Sequence, residues 1–288
     1  MANLALLLMP IIWAVNFPIA KVAIGRVSPL AFNALRFPLA SLALLLVLRA
    51  RHTALLPRRE DWLRIILLGL GGNALYQQFF IFGLVYSKAG IASLLLAGTP
   101  LLTAILSASL GHERVRPRVW AGAFCTLTGI ALVVAFSEQQ TTGRENTPVG
   151  AALLFSASLA WAVYTVGSRS LIKRYGALPV TAWTIWSGTI AIALIGAPSV
   201  AATDLEALTL STWLAIVYAG VASLGIAYVI WYHGVEVLGN TRTSVYSNLV
   251  PALTLAVAWL WLREVPSPGQ LAGAAIIIGG VTLAQAGR

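Results

Sequence analysis

Apolar residues run through this chain in blocks of about twenty, and short polar or Pro/Gly clusters separate them. Read block by block, the pattern predicts ten helices, at roughly 3–22, 30–48, 63–84, 90–110, 118–136, 147–167, 179–197, 211–233, 243–262 and 268–286. The punctuation is brief, as in "RVSP", "YSKAG" and "EVPSPG". The longest polar stretch, "SEQQTTGRENTP" from Ser137 to Pro148, falls at the middle of the chain. No linker is long enough for a separate soluble domain. A hydrocarbon core of about 30 Å needs about 20 apolar residues per helix. The pattern therefore predicts an all-α polytopic membrane protein with ten transmembrane helices.

Composition strengthens that reading. Of 288 residues, 59% are apolar and 10% charged, and the mean hydropathy is +0.85. A soluble domain of this length cannot bury so much apolar surface. The first block lacks the charged start and small-residue cleavage site of a secretory signal, so it is read as a retained helix. Cys125 is the only cysteine, which excludes an internal disulfide, and it reads as a small core residue.

Net charge is +10, and its placement matters more than its size. Arg49, Arg51, Arg58, Arg59 and Arg64 follow the second span, and Arg114, Arg116 and Arg118 follow the fourth. Arg169, Lys173 and Arg174 are placed in the loop after the sixth, Arg242 after the eighth, and Arg288 at the end. The other side holds only Lys21, Arg26, Lys88, Arg144 and Arg263. Cationic loops stay in the cytoplasm, so both termini are expected there. Charges spread over short turns form no nucleic-acid surface, and no nucleic-acid partner is expected.

The chain repeats itself. At a constant offset of 151, Gly69 meets Gly220, Gly83 meets Gly234, Ser93 meets Ser244 and Pro100 meets Pro251. Glu113 likewise meets Glu264, Pro117 meets Pro268, Gly122 meets Gly273 and Gly129 meets Gly280. "WAVNF" at Trp13 meets "WAVYT" at Trp161, and Pro29 meets Pro179, at offsets of 148 and 150. Residues 1–140 and 147–288 are thus two copies of a five-helix unit. An odd number of spans inverts the second copy, and inverted repeats typify secondary transporters.

These residues resemble the ten-helix drug/metabolite transporter superfamily, with its EamA-type repeat. "WAVNF", "ALRFPLA" around Arg36, "GLVYSKAG" with its counterpart "GVEVLGNTR", and the Pro–Glu–Gly-rich tails after Pro100 and Pro251 carry the resemblance over nearly the whole chain. It implies a metabolite transporter of a bacterial cytoplasmic (inner) membrane, most similar to amino-acid exporters of the YddG type. The second copy departs from the pattern: Trp186 stands where Arg36 would repeat, and Tyr164 replaces Asn16.

A proline inside a helix leaves the carbonyl four residues earlier without its donor. Pro18, Pro100 and Pro251 free the carbonyls of Ala14, Leu96 and Ser247. In hydrocarbon such a group must find a partner. Two uses stand: acceptors and hinges for a substrate, or packing kinks satisfied by a neighbouring Ser or Thr. Trp13 and Asn16 share a face of the first span, as do Ser158, Trp161 and Tyr164 on the sixth. "GGNALYQQFF" brings Asn73, Tyr76, Gln77 and Gln78, and Tyr246, Ser247 and Asn248 precede Pro251. Tyr228 and Tyr232 read equally well as packing residues. The expected substrate-binding set is Trp13, Asn16, Tyr76, Gln77, Gln78, Leu96, Thr99, Trp161, Tyr164, Tyr246, Ser247 and Asn248. Pro18, Pro100 and Pro251 are the expected kinks or gates.

Arg36 is the one charge placed well inside a span. It either snorkels or pairs structurally with carbonyls, or it meets a substrate carboxylate. All nine acidic residues are placed in loops or at span ends, so no mid-membrane proton or sodium relay is expected. His52 and His112 are in loops and His233 at a span end, with no "HExxH" and no "GxxxxGK". No enzyme activity, metal or cofactor is expected. The partners expected are a small-molecule substrate and the bilayer. A "GxxxG" at Gly269 and Gly273 allows close helix contact within a monomer or in a homodimer.

Overall fold

A computed structural model describes residues 2–53, 56–110, 117–136, 148–238 and 246–286. Glu113, Ser244, Arg242 and the polar middle stretch 137–147 lie outside them. The described chain is helical throughout. α1 is Ala2–Ile24, α2 Pro29–Ala50 and α3 Arg59–Val85. α4 is Ala89–Ser109, α5 Pro117–Ala135, α6 Pro148–Tyr175 and α7 Ala177–Ala201. α8 covers Leu210–Leu238 in three pieces, α9 is Leu249–Leu262 and α10 Pro268–Ala286. Seven of these, α1 to α4 and α6 to α8, are long and apolar enough to cross a bilayer; α5, α9 and α10 contain shorter apolar helices. Leu46, Leu63, Leu194, Leu214 and Leu260 are each more than half exposed, as side chains facing lipid are.

Local chemistry explains the ends. Ser28 caps α2 by accepting from Ala31 N–H at 3.3 Å, with Pro29 in the first turn where no N–H is needed. Gly176, at φ 84°, is the single residue between α6 and α7, a conformation that favours glycine. α6 continues to Tyr175, so Arg169, Lys173 and Arg174 ride on its last turns rather than in a loop. There Arg174 Nη1 lies 2.8 Å from both Glu60 and Asp61, and Tyr175 OH donates to Asp61 at 2.5 Å.

The strongest packing joins α5 to α10 and α2 to α7, which are partners under the repeat. The second half of α3 packs on α6, and the last piece of α8 packs on α1, again exchanged by the repeat. Glycines permit the α5–α10 approach. A Cβ on Gly273 would meet Gly129 O at 2.8 Å, and one on Gly280 would meet Gly122 O at 2.7 Å. The two contacts interchange under the 151-residue offset. Gly269 faces Phe136, just beyond α5, so the "GxxxG" pair is used within the chain.

Four irregularities are also paired. π-helical turns occupy Leu70–Leu75 in α3 and Tyr218–Ile226 in α8, at equivalent positions of the two copies. α4 is interrupted at Ala97–Gly98, and α9 starts anew after Asn248. Pro100 and Pro251 therefore sit in the first turn of a new helical piece, not at a bend within a continuous one.

Candidate functional site

The aromatic residues of α1, α3, α6 and α8 meet at the centre of the bundle. Tyr76 lies 5.1 Å, ring to ring, from Trp161, and Trp161 lies 5.1 Å from Tyr164. Trp161 also reaches Tyr228 at 6.1 Å, and Tyr228 meets Trp13 edge-on at 5.8 Å. Trp13 touches Trp231, Tyr228 stacks with Tyr232, and Tyr76 stacks with Phe80, which meets Phe17. Offset and edge contacts at these separations are favourable beyond simple burial, by about 0.5–1.5 kcal/mol each. Four of the expected residues, Trp13, Tyr76, Trp161 and Tyr164, thus fall into one cluster built by both copies.

π turns help to make room for it. Each widens the helix and leaves carbonyls outside the ordinary ladder. Trp13 Nε1 donates to Ser223 O within the α8 turn at 3.1 Å, and Tyr218 OH donates to Ile12 O at 3.0 Å. In α3, Gly72 lies against Tyr164, whose ring atoms would be 2.4 Å from any Cβ at that position. Tyr164 OH lies 3.2 Å from Thr184 Oγ1, and Thr181 Oγ1 donates to Tyr232 OH at 2.5 Å, tying α6, α7 and α8 together.

Beside the aromatics lies a buried cation. Arg36 is 0% exposed, which removes the snorkelling reading. Its Nε and Nη2 donate to Asn33 Oδ1 at 3.0 and 2.8 Å, and Nη2 also donates to Gln77 Oε1 at 2.7 Å. Asn33 Nδ2 donates in turn to Gln77 O at 3.2 Å. The guanidinium carbon lies 4.8 Å from the Phe32 ring, 5.8 Å from Phe37 and 6.0 Å from Phe80. Gln77 is thus committed to Arg36. Four buried polar atoms have no hydrogen-bond partner among the described residues: Arg36 Nη1, Asn73 Nδ2, Asn16 Oδ1 and Gln78 Oε1.

Two of the proline-freed carbonyls, those of Leu96 and Ala14, have hydroxyl donors beside them. Thr99 Oγ1 donates to Leu96 O at 2.6 Å and lies 2.9 Å from Ser158 Oγ. The hydroxyl next to Pro100 thus donates to the freed acceptor, the kind of partner a packing kink needs. The Ala14 carbonyl freed by Pro18 has Thr254 Oγ1 at 3.4 Å, and that hydroxyl also reaches Val250 O at 2.8 Å. Tyr246 packs with Trp13 and Trp231 on the patch formed by Met9, Ile12 and Ala227. Ser247 and Asn248 are half-buried at the start of α9. Sequence reasoning passed over Trp231 and Asn33 and left Tyr228 open between lining and packing. The repeat itself carried a signal for two of them, because Tyr228 and Trp231 are the counterparts of Gln77 and Phe80 at offset 151.

Two ends of the helices are capped across the bundle. Glu264, just beyond α9, accepts from the N–H groups of Ala89 and Gly90 at 3.1 and 3.2 Å, opening α4. Lys21 Nζ donates to the carbonyls of Leu84, Val85 and Ser87, closing α3. Both placements match the helix dipole. A cleft of about 540 Å³ lies near that same end of α1 and α2, lined by Arg26, Ser28, Thr203, Asp204, Thr209 and Thr212 among others.

A lipid-facing all-helical bundle in two copies, closed around aromatic and amide side chains, defines a polytopic membrane transporter. The comparisons agree: the EamA-like transporter family matches residues 1–135 and 148–285, and the chain belongs to it. It is 31% identical over 270 residues to "Uncharacterized transporter YdfC" of Bacillus subtilis, covering 94% of this chain and 86% of that protein. It is 31% identical to the "Probable terminal-alkyne amino-acid exporter" of Streptantibioticus cattleyicolor, over 97% of this chain and 91% of the other. It is 26% identical to the "Probable amino-acid metabolite efflux pump" of Escherichia coli, over 96% and 91%. A crystal structure of 25% sequence identity superimposes with a TM-score of 0.68, covering 98% of this chain and 96% of that one.

Proposed function

We propose that this protein exports small amphipathic metabolites, amino acids including aromatic ones, across a bacterial cytoplasmic membrane by alternating access. Ten spans in two inverted five-helix repeats, with both termini cytoplasmic, rock about the central aromatic cluster. The observation that carries the reading is that cluster: rings from α1 and α3 of one copy interleave with rings from α6 and α8 of the other. A ring of a substrate can replace these contacts one for one when the copies separate. Unpaired Asn16 Oδ1, beside Trp13 and Phe17 in sequence, and Gln78 Oε1 supply acceptors of the kind an ammonium needs. Two similar proteins whose names contain amino-acid export or efflux support the substrate class. Within the described residues no His/Cys/Asp/Glu group is arranged for a metal, and the reading needs no cofactor. Transport proceeds as facilitated diffusion or exchange, since none of the side chains in the central cluster is a carboxylate that could relay a proton.

Counterflow of labelled phenylalanine into proteoliposomes preloaded with unlabelled phenylalanine tests this. Wild-type protein accumulates label above protein-free vesicles, and Trp161→Ala lowers the rate at least tenfold while remaining monodisperse. Wild-type rates in Trp161→Ala reject the site. Absence of counterflow across a panel of amino acids turns the reading toward the other class of substrate, drugs or other metabolites, and absence across those as well toward a non-transporting scaffold.

A further inference from the structure

We propose that Arg36 is the anchor for a substrate carboxylate, so that this transporter selects solutes with one carboxylate next to an aromatic or bulky apolar group. The inference rests on the transport reading and narrows its substrate class. A buried guanidinium has five N–H donors and a full charge to satisfy. Here Nε and Nη2 are taken by the neutral oxygens of Asn33 and Gln77, while Nη1 has no partner. Among the described residues no Asp or Glu pairs with it, whereas Arg174 at the surface has both Glu60 and Asp61. Amide oxygens and the three phenyl faces lessen the cost of burying the cation but leave its charge uncompensated. An isolated structural arginine is expected to reach a carboxylate, backbone carbonyls or the membrane surface. Among the described residues this one reaches none of them. Its surroundings instead hold the guanidinium plane fixed and leave one edge unused.

The neighbours say what would use it. Phe80, which faces the guanidinium, is stacked on Tyr76, and Tyr76 contacts Trp161. A ligand carboxylate on Nη1 therefore has the aromatic cluster beside it, within reach of a side chain attached at the α-carbon. The anchor is single. Trp186 stands at the repeat position of Arg36 and donates from Nε1 to Ser41 O at 3.1 Å, so the second copy offers an indole and no charge. One carboxylate is accommodated, not two. Nη1 is sealed from solvent in the arrangement described, and it becomes accessible when the two copies part.

Purified protein in detergent tests this without requiring flux. Tryptophan fluorescence sums over ten indoles, of which Trp13, Trp161 and Trp231 belong to the central cluster, and three probes are titrated: 3-phenylpropionate (a carboxylate without an amine), phenethylamine (an amine without a carboxylate) and L-phenylalanine. Saturable changes are expected for 3-phenylpropionate and phenylalanine at concentrations at least tenfold below those for phenethylamine. Arg36→Gln erases that ratio, and Arg36→Lys retains part of it, because charge survives but the planar fork is lost. A guanidinium with a purely structural role lowers thermal stability when replaced and leaves the ratio unchanged. The proposal is overturned if phenethylamine binds as well as 3-phenylpropionate, if neither binds, or if Arg36→Gln keeps the wild-type ratio. Should Arg36→Gln fail to fold, the wild-type ratio and Arg36→Lys decide. Carboxylate-selective binding without flux in proteoliposomes rejects the transport reading alone; flux without carboxylate preference rejects this inference alone.

Discussion

At the residue scale, most polar side chains in the bundle are answering a demand made by the backbone. Thr99 returns a donor to the carbonyl that Pro100 strands, and Trp13 Nε1 reaches a carbonyl inside the π turn of α8. In a membrane these bonds are worth about 0.6 kcal/mol on average and up to about 1.7. Thr99→Val is therefore expected to lower the melting temperature in detergent by a few degrees and to spare counterflow; a collapse of transport at unchanged stability would return Leu96 O to the substrate. Glycines act by absence. Gly273→Val places side-chain atoms where Gly129 O and Val133 already sit, at 2.8 and 2.7 Å from the new Cβ. Overpacking of this kind costs about 1–3 kcal/mol, measurable as a lower melting temperature of the purified protein. Gly129→Val should fall by a similar amount, since its Cβ meets Gly273 O at 2.7 Å.

Among the elements, four irregularities fall at matching places, while the π turn Ala258–Leu262 that ends α9 has no counterpart within Thr99–Ser109 of α4. Each copy has one π turn in its third helix and one broken fourth helix. Irregular backbone at such depth survives only where protein or a cavity covers it. The π turn of α3 is filled by Tyr164 and that of α8 by Trp13, two residues at corresponding helical positions of α6 and α1 within one turn of each other. Gly72→Ala is expected to displace the Tyr164 ring and to slow counterflow at least fivefold, with expression unchanged; normal rates would place the turn outside the transport cycle. The Glu264 cap joins the end of α9 to the start of α4, and hence one copy to the other. Glu264→Ala removes two acceptors from the N–H groups of the buried residues Ala89 and Gly90, a loss of about 0.5–2 kcal/mol by analogy with helix caps. Thermal unfolding of the purified variant, compared with Glu264→Gln, checks it: Gln keeps one acceptor oxygen and should lie between.

Taken as a whole, the molecule is a pair of copies exchanging contacts: α5 with α10, α2 with α7, α3 with α6 and α8 with α1. α5 with α10 and α2 with α7 are mates under the repeat, whereas α3 with α6 and α8 with α1 are crossed pairs and carry ring contacts between the copies. That division suits a machine in which crossed pairs separate and mated pairs hold. The orientation expected from the arginine-rich side is open to a direct measurement. A green fluorescent protein fused to the C-terminus should fluoresce, and alkaline phosphatase fused there should be inactive; the opposite pair of results would invert the protein in the membrane.

The sequence by itself determined the class: lipid as solvent, helix lengths near a bilayer thickness, and a 151-residue echo of Pro, Gly and Glu that marks two copies of one unit. Those properties are carried by composition and period, which need no third dimension. It also named Trp13, Tyr76, Trp161 and Tyr164, because large polar-edged rings on one helical face have few other uses in mid-span. Only the tertiary structure decided which groups satisfy which. Gln77 went from an amide in need of a partner to the partner of Arg36, Leu96 O found Thr99, and Tyr228, which sequence left open between lining and packing, came to bridge the copies by meeting Trp13 edge-on while also contacting Trp161. The physical reason is that a hydrogen bond or ring contact depends on a few ångströms between helices far apart in sequence. Sequence pattern constrains faces and depths, while the distance across the interface is set by which small residues let two helices meet.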